Sequence, residues 1–191
     1  LPASFTREIP ARGWQWLLQF GLPYSYWEPR VGWDEKGSRL VFAVPDLESV
    51  AFSQGRFIPA EGGRDTGEKP PPKWFTWGPA HKAPFLVGTP TEDSKCVVIT
   101  EDWISACKIA QVQPAISLFG TKVFPAVLPL IRHLGLPVLM WLDKDQQGAA
   151  ARRAMWLSTV SGLPVSYVFS DKDPKFLTSS KIMETVNANT H

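Results

Sequence analysis

The sequence predicts an α/β fold for residues 95–175, a parallel sheet flanked by helices. Before it, residues 1–94 read as a small α+β portion built on an antiparallel meander. Three observations predict this. After Lys95 the chain alternates continuous apolar, β-branched runs with helical stretches, the pattern of strands buried on both faces. Before Lys95, short alternating runs lie between turn residues, as in half-buried antiparallel strands. Several of the later strands also end on carboxylates, so one edge of that sheet collects acids.

The elements follow in order. Arg12–Phe20 (RGWQWLLQF) is a short apolar helix stopped by Gly21 and Pro23. Arg30–Trp33, a turn at Asp34–Gly37, Arg39–Val44 and Glu48–Phe57 form the meander. Residues 58–72 (IPAEGGRDTGEKPPP) carry Gly, Pro and charge without periodicity and read as a basic surface loop. Cys96–Thr100 is a strand, and Asp102–Ala110 a helix with Asp102 as its cap. Ala115–Leu118 is a short strand, and Phe124–Leu134 a helix closed by Gly135. Leu136–Leu142 is a fully apolar strand, Gln146–Ser161 a long helix rich in Ala and Arg, and Val165–Phe169 the last strand before a C-terminal tail.

Composition excludes several classes. Hydrophobic residues at 44% and charged residues at 20% leave no room for wholesale disorder or a collagen-like repeat. The apolar runs break within about ten residues, short of the roughly 20 a bilayer span needs, so no membrane helix is expected. A net charge of +2 does not by itself demand a nucleic-acid partner; only its local arrangement could. Cys96 and Cys107 form no C-x-x-C pair, which excludes a zinc ribbon and a disulfide framework. Reduced thiols suit the cytoplasm. The chain starts at Leu1 with no readable signal peptide, and is expected to be an excised or processed piece.

Ligands of open parallel sheets gather outside the carboxyl ends of the strands. Glu101 follows CVVIT there, Asp143-Lys144-Asp145 follows LPVLMWL, and Asp171 and Asp173 follow VSYVFS. Clustered carboxylates raise one another's pKa unless a cation offsets them. Oxygen donors without a Cys/His cluster favour Mg²⁺ or Mn²⁺ over zinc. Any one of these acids reads equally well as a helix cap. Acid after one strand, Asp-x-Asp after another and Gly148 opening the next helix make a joint pattern that is harder to reach by chance. Among the cations, Lys122 lies at another strand's exit, within reach of a phosphate. Trp74 and Trp77, beside Lys69 and Lys73, have the composition of a stacking platform for unpaired bases. Trp14, Trp16, Trp141 and Trp156 fall at patterned positions and read as core, Met140 and Met155 as packing.

Residues 95–175 resemble the Toprim domain, and in particular the primase half of phage-type primase–helicases. The resemblance rests on Val97-Val-Ile-Thr-Glu101, Ser117-Leu-Phe-Gly-Thr121, Leu142-Asp-Lys-Asp-Gln-Gln-Gly148 and Ser170-Asp-Lys-Asp-Pro174. Upstream, Val41-Phe-Ala-Val-Pro-Asp46, Ser53-Gln-Gly-Arg56 and Lys73-Trp-Phe-Thr-Trp-Gly78 look more loosely like the N-terminal subdomain of such primases. Two positions depart from the family pattern. Ser105 stands where another carboxylate is frequent, and Lys175 where Asn is usual. Neither a Cys-rich zinc module nor a G-x-x-x-x-G-K-[ST] loop occurs in the chain.

The resemblance implies a DNA primase that makes short RNA primers on single-stranded DNA from nucleoside triphosphates. It implies Glu101 as general base, Asp143 and Asp145 as ligands of Mg²⁺ or Mn²⁺ (two ions in some arrangements), and Asp173 as a further metal or nucleotide contact. Arg56 and Lys73 would grip phosphate or template. A replicative helicase and a zinc-binding template reader would be partners, in cis or in trans. On this reading residues 1–94 bind template and residues 95–191 carry the catalysis. Two alternatives stay open: a Toprim metal-dependent nuclease, and a catalytically inactive docking module of a helicase.

Overall fold

The computed structural model describes residues 1–60, 71–78, 85–120 and 122–190. The chain divides into two compact units, Leu1–Ala80 and His81–His191. Among the described residues each unit holds one five-stranded sheet, the first antiparallel and the second mostly parallel, both with helices.

The first unit runs β1 (Phe5–Thr6), α1 (Ala11–Leu18), α2 (Tyr24–Trp27), β2 (Val31–Asp34), β3 (Arg39–Val44), β4 (Phe52–Phe57) and β5 (Trp74–Trp77). The strands pair in sequence order, each antiparallel to the next. Register decides the faces. Leu40, Arg56 and Trp74 stand opposite one another on one face, and Val41, Gly55 and Phe75 on the other. Leu17, Trp27, Leu40 and Phe42 are fully buried and form the core. The alternation that predicts a third strand from Glu48 overshoots, because β4 starts at Phe52. Asp46 Oδ1 accepts from the backbone N–H of Glu48 and Ser49 at 3.0 and 2.9 Å, which ties residues 46–49 into a turn. Most of the expected basic loop, Lys69 included, lies outside the described residues.

The second unit runs β6 (Phe85–Val87), β7 (Val97–Thr100), α3 (Trp103–Ile109), β8 (Ala115–Ser117), α4 (Val127–Leu134), β9 (Val138–Met140), α5 (Gln147–Ser161), β10 (Val165–Tyr167) and α6 (Ser179–Asn189). The sheet order is β10-β9-β7-β8-β6. Four strands are parallel, and β6 closes the edge antiparallel to β8. Every residue of β7, β8 and β9 is buried, as the unbroken apolar runs require of central strands. Val97, Ile99, Ile116, Val138 and Met140 pack with Val127 and Ile131 of α4 and with Ala150 and Leu157 of α5. α4 and α5 end on Gly135 and Gly162, whose φ of 64° and 74° only glycine adopts without strain.

Two features differ from the sequence expectation. Composition places the boundary at 94, whereas the contacts divide the chain at Ala80, and β6 belongs to the second sheet through Val87 opposite Ala115. The expected tail is a helix, α6. Thr178 caps it by accepting from Lys181 N–H at 3.2 Å, and it buries Ile182 and Val186 one turn apart.

Candidate active site

β7 and β9 lie side by side, yet the chain leaves them in opposite directions. From β7 it passes through α3 to β8, and from β9 through α5 to β10. Where strand order reverses in this way, the loops part and a crevice opens at the carboxyl edge. Glu101 follows β7 directly, and Asp143 closes the segment after β9. Backbone bonds hold both exits, Trp141 N–H to Ile99 O and Gly120 N–H to Glu101 O, each at 2.9 Å. Phe119, beside that second bond, has a φ of 52°, a left-handed backbone that a non-glycine residue enters at a cost of about 1–2 kcal/mol. Its ring stacks on Trp103 with centroids 5.5 Å apart, which helps to offset that strain.

One oxygen of each acid is exceptional. Glu101 Oε2 and Asp143 Oδ1 are both buried and have no hydrogen-bond partner. Burial first, then the negative charges of Asp143, Asp145 and Asp102, push the Glu101 carboxyl up to about 7 against the pull of Lys175. Burial and the charge of Asp102 raise Asp143 to about 6, again opposed by Lys175.

Lys175 is the residue that sequence reasoning passed over. Its ammonium reaches Asp102 Oδ2 at 2.9 Å, Asp143 Oδ2 at 3.1 Å and Asp173 Oδ2 at 3.1 Å. An ammonium has three hydrogens to donate, so three carboxylates saturate it. The side chain is only 16% exposed. Burial works against its charge, but Asp102, Asp143 and Asp173 outweigh it and its pKa is raised. The one available signal was the Lys in Asp-Lys-Asp-Pro-Lys, where the family that the sequence resembles usually has Asn.

Asp102 does what its position before a helix predicts and something more. Its Oδ1 accepts from Ser105 N–H at 2.9 Å, capping α3, while Oδ2 receives the Ser105 hydroxyl at 2.8 Å and Lys175. A hydroxyl at 105 therefore donates to the cap, where a second carboxylate would repel it. Asp173 is held by Lys175 and also accepts weakly from Lys144 N–H at 3.4 Å. Asp145 is exposed, within electrostatic reach of Glu101. Asp171 is fully exposed, 3.8 Å from Lys144.

Among the described residues no three His, Cys, Asp or Glu side chains form a ready-made metal cage. The donors present still suit one kind of ion. Mg²⁺ is usually held by one or two carboxylates together with water and substrate phosphates, and two buried carboxylate oxygens stand unpartnered here. Lys175 already occupies Asp143 Oδ2 and Asp173 Oδ2.

The expected nucleic-acid contacts of the first unit separate by face. Arg56 lies between two indole rings, 5.2 Å from the centroid of Trp16 and 5.5 Å from that of Trp74. Burial lowers its pKa, and its Nε is buried without a partner. Trp74 also packs on Phe42, centroids 6.0 Å apart, so this ring serves the aromatic core. Trp77 is on the opposite face, lying over Gly55, where a Cβ would come within 2.5 Å of its ring. Beside it Phe75 is 46% exposed, and Lys73 is exposed. In the second unit Lys122 is exposed after β8.

Two side chains expected in the core are not there. Trp156 is 42% and Met155 72% exposed, because α5 turns Ala150, Ala154 and Leu157 inward and leaves the neighbouring stripe outside. Trp141 and Met140 are buried.

No protein-family model matches the chain. No curated protein matches it at a significant level.

Proposed function

We propose that the chain is the catalytic part of a DNA primase of the Toprim type, joining ribonucleotides into short primers on single-stranded DNA. One observation carries this reading: the unpartnered buried oxygens of Glu101 and Asp143 flank the crevice between β7 and β9. Primer synthesis needs a 3′-hydroxyl to attack an α-phosphate while pyrophosphate leaves. Glu101 would accept the hydroxyl proton, and Asp143 and Asp145 would hold Mg²⁺ or Mn²⁺ against the triphosphate. A bound divalent ion would supply charge neutralisation at the phosphates. Lys175 keeps Asp102, Asp143 and Asp173 together and limits their mutual repulsion. Lys73 and the face bearing Phe75 and Trp77 would meet the template strand. A helicase and a zinc-binding reader of template sequence would act beside this chain. Among the described residues no helix is long and apolar enough to cross a membrane, and we place the reaction in the cytoplasm, of a host cell if the chain is phage-encoded.

The test is Glu101→Gln. With single-stranded DNA, ribonucleoside triphosphates and Mn²⁺, the unaltered chain makes di- and oligoribonucleotides, whereas the variant melts normally and makes none. Full synthesis by the variant would refute Glu101 as base. Cleavage of labelled single-stranded DNA with metal and without nucleotides would point to a nuclease instead. A second reading, an inactive docking module of a helicase, draws on Lys175, whose ammonium spans acids that an ion would otherwise use. Absence of Mn²⁺ binding at millimolar concentration would decide for it.

A further inference from the structure

We propose that a cleft between the loop after β8 and the first turns of α5 binds the phosphate chain of a nucleotide, with Trp156 as the platform for its base. Lys122, Val123 and Phe124 line one side, and Ala149, Arg152, Arg153 and Trp156 the other, around a cavity of about 400 Å³. That volume falls in the range of small-ligand sites, about 300–1,000 Å³.

The wall from α5 follows from sequence spacing. Positions 149, 152, 153 and 156 recur at helical intervals and form one stripe beside the buried stripe of Ala150, Ala154 and Leu157. The stripe joins two guanidinium groups to a large exposed indole, and Lys122 faces it from the loop. Among the described residues none of these three cations forms an ion pair. Arg153 Nη1 is moreover buried with no acceptor. A buried guanidinium hydrogen without an acceptor is unfavourable, and three like charges around one cavity repel each other. An anion with several oxygens relieves both, and the Arg fork suits phosphate geometry.

The arrangement also favours a nucleotide over a passing strand. The three cations line one local cleft, whereas the backbone of a strand calls for a longer positive track. Val123 and Phe124 add apolar lining, and Trp156 offers a flat ring next to the cations. Both walls belong to connections that leave the carboxyl ends of parallel strands, the edge that carries Glu101 and Asp143. The inference rests on the proposed reaction only for the nucleotide's role as substrate, and its test is binding without metal, so the two can fail separately.

Titration of the full chain with ATP, inorganic triphosphate and adenosine, in EDTA and read calorimetrically, tests it. ATP is expected to bind at one site, to weaken as salt is raised, and to bind more tightly than triphosphate or adenosine. The double variant Arg152→Met/Arg153→Met should lose at least about tenfold in ATP affinity while melting like the parent. Trp156→Ala should erase the preference for ATP over triphosphate. Absence of saturable ATP binding at millimolar concentration, or unchanged affinity in the double variant, overturns the site. Equal affinity of the unaltered chain for ATP and triphosphate overturns the base platform. Displacement of ATP by a single-stranded oligonucleotide at matched phosphate concentration overturns the nucleotide in favour of the strand.

Discussion

The Lys175 ammonium donates to Asp143 Oδ2 at 3.1 Å, while Oδ1 of the same carboxylate is buried with no partner. One half of Asp143 is thus neutralised from within the chain, and the other half is left as an open acceptor in a carboxylate whose charge is felt by Glu101. A carboxylate used in this divided way is a structural tie through one oxygen and leaves the other without a partner.

Replacing Lys175 by Met leaves Asp102, Asp143 and Asp173 facing one another without their cation. Breaking a fully buried pair costs about 3–5 kcal/mol. The partners here are 18–23% exposed, so solvent screening reduces the expected loss, to about 1–3 kcal/mol. Urea unfolding at neutral pH measures it through the midpoint. Mn²⁺ should raise the midpoint of the variant more than that of the parent, since it can take over the vacated charge. An unchanged midpoint without metal would show that the bridge holds nothing.

Stability should fall as pH rises through the window set by the two raised carboxyls. Folded Glu101 keeps its proton up to about pH 7 and Asp143 up to about pH 6, while in the unfolded chain both lose it near about pH 4. Between these values the folded state binds more protons, so each step up in pH favours unfolding. Melting temperatures measured from about pH 5 to pH 7.5 should decline, and Glu101→Gln should flatten the decline because its amide carries no proton to lose. A profile for the variant that tracks the parent would place the titration elsewhere.

Trp74 and Lys73 are neighbours in sequence with opposite expected phenotypes. Trp74 packs against Trp16, Phe42 and Arg56, so Trp74→Ala should cost about 2–4 kcal/mol. Lys73 is exposed, and Lys73→Ala should leave stability alone but weaken single-stranded DNA binding and lower its salt slope by about one. Thermal melting and a salt series of anisotropy titrations separate the two. A stable Trp74→Ala variant with poor DNA binding would return the ring to the template.

The legible parts were those whose signal is local. The run RLVFAV is a strand over the same six residues in the structure, and α5 starts one residue from its expected position. Asp102 caps α3 as a short acid before an apolar helix should. Less was visible where the partner lies far along the chain. Trp74–Trp77 is a strand because β4 offers it a ladder; alternation parts its two tryptophans to opposite faces, and the register with β4 decides which of them joins Phe42. Phe85–Val87 joins the second sheet at an edge next to β8. Trp156 sits in a helix whose polar and apolar residues are spread almost evenly, so its periodicity could not say which side faces water.

The amino-acid order alone determined that two kinds of sheet would form and that acids would end strands of the second, because alternation and strand-end chemistry are properties of neighbours. Only the tertiary structure decided which acids meet. Residues 102, 143 and 173 converge because parallel strands deliver their ends to one edge, and Lys175 enters among them because the turn after Asp173 carries it there. Charge pairing between residues tens of positions apart depends on distance in space, and no spacing along the chain encodes that.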